Sequence, residues 1–194
     1  MKTDEKILTA ATRHLNEDPS ASMAEIAEAT GVSRATLHRH FASREALLHA
    51  LGERATSRWE RSLRAAGVEA AGSSGDPAAM EAALTAMMRA YVADADEYGF
   101  ALTDHFINNL PDLMAWTEEL VDREVAFYTA CQRAGVLRDD VPARWISNIV
   151  CGMLIAAREG LRRGDVARRD VERLLLTTFL HGTGAPRDRS GERP

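Results

Sequence analysis

Three guanidinium groups, Arg34, Arg39 and Arg44, fall between Thr30 and Arg44 with no acid among them. The local formal charge is +3, and His38 and His40 are interleaved. Such groups hold phosphate oxygens, and a well-placed arginine also forks onto guanine O6 and N7. The whole chain carries −5 at neutral pH, a balance that excludes a generally basic nucleic-acid coat. By segment the formal charge is −1 over residues 1–50, +1 over 51–75 and −5 over 76–194. The acid therefore lies mainly beyond residue 75, and the basic edge is local. Catalytic residues, cofactors and metal ligands are each expected to be none. Asp104 and His105 are adjacent, and adjacent helical residues do not face each other. No nucleophile elbow, P-loop, HExxH or dinucleotide fingerprint is present. Cys131 and Cys151 lack a CxxC spacing and are expected to be reduced, buried thiols of a cytoplasmic protein.

The elements that must position the basic edge are helices. Of the 194 residues, 45% are apolar and 27% charged, the balance of a globular chain with a real core. No stretch approaches ~18 consecutive apolar residues, so no membrane span is expected. The polar, acidic N-terminus gives no sign of a secretory leader. Ile7, Leu8, Ala11 and Leu15 share one face and predict a first helix over 4–16; Pro19 ends it. Ser22-Met23-Ala24-Glu25 reads as a capping box that opens a short helix, and this helix stops at Thr30-Gly31. Ser33 caps the next, over 34–40, with Val32 and Leu37 spaced as a hydrophobic staple. A longer helix starts at Ser43, its apolar line formed by Leu47, Leu48, Leu51, Ala55, Trp59 and Leu63. Residues 67–77, rich in glycine and serine, predict a flexible joint. Further amphipathic helices are expected over 78–97, 100–108, 112–134, 143–162 and 167–181, and no repeat is evident. The fold class is therefore all-α: a three-helix head, then a larger helical body.

Residues 22–40 have the layout of a helix-turn-helix around Thr30-Gly31-Val32-Ser33. The run from Ile26 to Phe41, IAEATGVSRATLHRHF, followed by Arg44-Glu45-Ala46-Leu47-Leu48, closely resembles the N-terminal signature of the TetR family of bacterial transcriptional repressors. The resemblance covers roughly residues 5–52. It implies a DNA-binding head over 1–52, a ligand-binding and dimerisation body over 53–181, and a tail over 182–194 expected to be disordered. It also implies a cytoplasmic homodimer with no membrane partner, reading a double-stranded, roughly palindromic operator and responding to a lipophilic small molecule. By position, Arg34 and Ala35, just after the Ser33 cap, enter the major groove; Ala35 can touch a thymine methyl. By resemblance, Thr36, His38, His40, Ser22 and Arg44 hold phosphates, and Arg39 faces base or phosphate. His38 stands where many members carry tyrosine; an imidazole still donates to phosphate but makes affinity more pH-sensitive.

In the body, Met87, Tyr91, Asp104, His105, Asn108, Trp116 and Tyr128 are candidate pocket groups among methionine and aromatic stripes that otherwise read as core. The many acids between Asp94 and Glu124 permit a cationic lipophilic ligand, and equally describe a solvated helix face. The last two helices resemble the family's four-helix dimer interface. Ile149, Gly152, Met153, Ala156, Leu175 and Phe179 are its candidates, with Gly152, Ala156 and Gly160 forming a flat stripe. The competing reading is an all-α small-molecule-binding protein or enzyme that retains a vestigial DNA-binding head.

Overall fold

Local signals set the first helix ends. Ser22 takes the Glu25 amide while the Glu25 carboxylate receives the Ser22 amide at 2.8 Å, so two orphan donors are satisfied reciprocally. Gly31 ends that helix in the left-handed region at φ +70, a conformation that L side chains adopt at a cost. Ser33 then accepts from the Thr36 amide at 3.1 Å and opens the next helix.

The structure, a computed structural model, describes residues 3–184. It is all-α. The first helices are α1 (Thr3–Glu17), α2 (Met23–Thr30), α3 (Arg34–His40) and α4 (Arg44–Ala66). They are followed by α5 (Val68–Ser74), α6 (Pro77–Tyr98), α7 (Pro111–Arg133), α8 (Ala143–Arg163) and α9 (Arg168–Thr183). Among the described residues no helix is long and apolar enough to cross a membrane.

Three expectations change. Residues 67–77 are not a joint: Val68 and Ala71 are buried, and their burial holds α5 between two left-handed glycines, Gly67 and Gly75. The expected helix over 100–108 is instead two 3-10 turns, Gly99–Leu102 and Ile107–Asn109. The first is fixed from outside, because Asn16 Oδ1 accepts from the Phe100 amide at 3.0 Å. Finally, α9 runs to Thr183, whose carbonyl accepts from the Arg138 amide at 2.8 Å. The rest of the expected tail, 185–194, lies outside the described residues.

Packing gives two compact units, residues 3–61 with 91–119 and residues 62–90 with 120–184. The expected boundary at residue 52 does not divide the packing, because 91–119 belongs with the head. The first unit's core joins Ile7, Leu15, Ile26, Leu37, Leu47, Leu48 and Leu51 to Tyr98, Phe100, Ile107 and Leu113. His49 pairs with Asp112 at 2.6 Å, which holds that carboxyl below the usual aspartate range. Beside it, a Cβ built on Gly52 would meet Leu113 Cδ1 at 2.5 Å, so any other residue there requires the Leu113 side chain to shift.

In the second unit, Met80, Leu84, Met87, Leu120, Phe127, Tyr128, Leu154 and Phe179 are buried. Arg123–Glu69, Arg144–Asp122 and Arg89–Glu172 close its surface. Cys131 is buried as expected and its thiol is pushed up to about 12 by burial. Cys151 is exposed, contrary to expectation, because it sits on the outward face of α8.

Candidate nucleic-acid interface

The geometry of the head starts from Leu37, which is fully buried and is the one buried residue of the seven in α3. With Val32 packed against the same core, it fixes the angle at which α3 leaves the turn. That angle turns Arg34, Ala35, His38 and Arg39 outward. Arg34 and Arg39 make no ion pair or side-chain hydrogen bond to the described residues, so both guanidinium forks are available. Ser33 Oγ donates to Thr36 Oγ1 at 2.9 Å, leaving the threonine hydroxyl proton free for an acceptor outside the chain. The His38 Nδ1 lies 3.4 Å from the Ala42 carbonyl.

Two expected phosphate contacts are spoken for. Arg44 reaches back instead of out: Nε donates to the Ala21 carbonyl at 3.0 Å and Nη2 to the Pro19 carbonyl at 2.7 Å. Those carbonyls belong to the link between α1 and α2, which has no ladder partners of its own. His40 is half-buried, and its Nδ1 is paired with the Asp4 carboxylate of α1 rather than turned to solvent. Neither the strap nor the pair shows a sequence signal, because both join residues far apart in the chain.

Ser22 is exposed at the start of α2, but its hydroxyl is engaged by Glu25 at 2.6 Å. This hydrogen bond and the Ser22 amide hold the Glu25 carboxyl below its usual range. A carboxyl depressed in the folded state contributes stability above its ordinary range, and that stability is lost as pH falls through the depressed value. Ser22→Ala is therefore expected to cost about 1 kcal/mol at neutral pH. The Tm gap to the parent should narrow at pH 3; a gap independent of pH would contradict the capping role.

Residues 7–51, spanning α1 through the first turns of α4, match the family described as bacterial regulatory proteins, tetR family. These residues carry a tetR-family N-terminal region. NfxB, a transcriptional regulator of Pseudomonas aeruginosa, is 26% identical over 186 residues, covering 94% of this chain and 95% of NfxB. LfrR, a transcriptional repressor of Mycolicibacterium smegmatis, is 26% identical over 181 residues, covering 93% of this chain and 90% of LfrR. The crystal structure of LfrR from Mycobacterium smegmatis in complex with proflavine superposes with a TM-score of 0.70 at 24% identity, covering 93% of this chain and 96% of that one. A SmeT–triclosan complex superposes with a TM-score of 0.61 at 16% identity, covering 99% and 97%.

The remaining candidate residues divide between the two units. Tyr91, Asp104, His105, Asn108 and Trp116 belong to the first, and Met87 and Tyr128 to the second. Tyr91 is buried and its hydroxyl accepts from Trp59 Nε1 at 2.8 Å; Trp116 is half-buried against the head core. His105 and Asn108 are exposed, and the Asp104 carboxylate accepts from the Ile107 amide at 2.9 Å. The Asn108 side-chain amide donates to the Leu102 carbonyl at 3.4 Å, and the His105 ring meets the Asn109 side-chain amide at 3.2 Å. Met87 and Tyr128 are fully buried. Among the described residues no group of three or more His, Cys, Asp or Glu could hold a metal ion.

On α8, Gly152 and Ala156 are exposed and Ile149 and Met153 half-buried, whereas Gly160 packs against Val166. The outward face of α8 carries Trp145, 56% exposed, and Ile155, 36% exposed. On α9 the expectation is corrected by one residue: Leu175 and Phe179 turn into the core, and Leu174 and Leu180 turn out. One residue on a helix is a ~100° rotation, which sequence periodicity does not resolve when leucines are consecutive.

Proposed function

We propose that the protein is a homodimeric repressor that reads a roughly palindromic operator through the major groove. A small molecule bound in its C-terminal helical region releases it. The head over 1–52 supplies the reading edge, and the region over 53–181 supplies the effector site and the dimer contact. The observation that carries this reading is the edge of α3: a capped helix start with Arg34 and Ala35 outward, braced by the buried Leu37. Arg34 and Ala35 read bases, Arg39, Thr36 and His38 position the backbone, and two copies impose their two-fold on the site. LfrR with proflavine and SmeT with triclosan support an effector for this chain as well.

Arg34→Ala is expected to weaken specific binding by ~1–3 kcal/mol and to relax one operator position. The test is to select an operator from random duplexes and titrate both proteins on it and on random DNA at one fixed salt concentration. Equal losses on both would remove the base-reading role.

The dimer reading rests on Ile155, Leu174 and Leu180, apolar groups on α8 and α9 that one chain leaves in water. A second copy would cover them isologously. Ile155→Glu with Leu174→Glu should give a folded monomer by light scattering, with Tm little changed and operator affinity lost. An unchanged dimer mass would place the interface elsewhere.

A further inference from the structure

The end of α6 holds a side chain from another helix in its hydrogen-bond ladder. Asn16, on the last turn of α1, donates from Nδ2 to the Glu97 carbonyl at 2.6 Å and lies 3.4 Å from the Asp96 carbonyl. Its Oδ1 accepts from the Phe100 amide at 3.0 Å. An uninterrupted helix would close the Phe100 amide on the Asp96 carbonyl and the Ala101 amide on the Glu97 carbonyl. One carboxamide thus stands in for both sides of that turn, donating where amides would donate and accepting where a carbonyl would accept. A side chain inserted in the ladder in this way breaks a helix. Beyond the break, helical spacing returns. The Asp104 amide bonds the Phe100 carbonyl at 3.0 Å, and the Asn108 amide bonds the Asp104 carbonyl at 3.1 Å. No proline stands between Pro77 and Pro111 to forbid a longer helix.

We infer that residues 99–104 are a two-state segment keyed by Asn16: a 3-10 turn with the carboxamide inserted, and a continuation of α6 with it withdrawn. The exchange is nearly balanced. Withdrawal gives the Asn16 amide to water, and the Asp96 and Glu97 carbonyls take the Phe100 and Ala101 amides in its place. Two states of similar energy are what a small bias can shift. The bias comes from the helix-turn-helix. Just beyond Asn16, the α1–α2 link is fastened to α4 by Arg44, through the Pro19 and Ala21 carbonyls. Ile7, Leu15, Ile26 and Leu37 join α1, α2 and α3 in one core. Seating the α3 edge on an operator therefore fixes Asn16 as well, and favours the inserted form, which is the form that presents that edge. By linkage, the state of 99–104 changes operator affinity by the same factor. This rests on the operator reading above, and on neither an effector nor a dimer.

The test uses the full chain, isotope-labelled, with an operator duplex selected from random DNA at one fixed salt concentration. Cα chemical shifts and amide exchange are followed over 99–104, and operator affinity is titrated. In Asn16→Ala the shifts of Phe100 to Thr103 are expected to move to α-helical values, with slower amide exchange. Operator affinity should fall about fivefold or more. That pairing separates a switch from a plain cap. A cap whose loss merely frays the chain gives random-coil shifts and faster exchange, which would overturn the inference. Helical shifts with operator affinity unchanged would overturn the linkage to the head. The parent supplies a check that needs no variant: saturating operator should slow exchange of the Phe100 amide, because holding one form closes the opening between the two. Exchange unaffected by the operator would overturn the inference and leave the operator reading standing. A parent that selects no duplex overturns both.

Discussion

Leu37→Ala is expected to cost about 2–5 kcal/mol of stability and to abolish operator binding at ordinary protein concentrations. Seven residues cannot hold a helix alone in water, and Leu37 is the single buried contact that α3 makes with the core of its unit. Removing its branched end leaves a cavity beneath the turn, where Ile26, Ala27 and Phe41 cannot follow without moving α2 or the start of α4. The measurement is a urea midpoint alongside operator titration. Arg34→Ala should leave the midpoint in place and alter only discrimination. Leu37→Ala should shift the midpoint and weaken all sequences together. An unshifted midpoint would mean that α3 is held by something other than its buried leucine.

The second large effect is expected at Arg44. Its guanidinium spans two carbonyls of the α1–α2 link, and hydrogen bonds from a charged donor contribute ~1.5–3 kcal/mol each. The site is partly open to water, so Arg44→Ala should lose about 2–3 kcal/mol for the pair. Arg44→Lys decides between a strap and a phosphate anchor. An ammonium restores the charge but cannot fork across Pro19 and Ala21. If Arg44 is a strap, lysine leaves most of the stability loss in place, and the salt dependence of DNA binding stays that of the parent. Full recovery of DNA affinity by lysine, with stability unaffected throughout, would return Arg44 to the phosphate contacts.

What was legible in the chain was whatever is decided within four or five residues. The ends of α2 and α3 follow from Ser22, Gly31 and Ser33, whose side chains or backbone freedom act on amides next to them. The outward placement of Arg34 and Ala35 was legible for the same reason, since both follow directly on the Ser33 cap. Illegible were the features set by distant partners. Asn16 converts an expected helix into a 3-10 turn by taking the Phe100 amide. Arg44 and His40 are engaged within the chain by Pro19, Ala21 and Asp4. The glycine- and serine-rich stretch near residue 70 folds because Val68 and Ala71 find a core, which overrides weak helix propensity. The phase of α9 failed for another reason: three consecutive leucines, Leu174 to Leu176, offer the core two faces, and composition alone does not choose between them.

Gly52 has a consequence at the level of the gene. Every single-nucleotide missense change in a glycine codon installs a residue with a Cβ. At this position a Cβ would lie 2.5 Å from Leu113 Cδ1 and 3.0 Å from Ile107 Cγ2. Both neighbours are buried, so they yield only by disturbing packed core. Inactive variants recovered by random mutagenesis should therefore include changes here as well as along the exposed edge of α3, although Gly52 is buried.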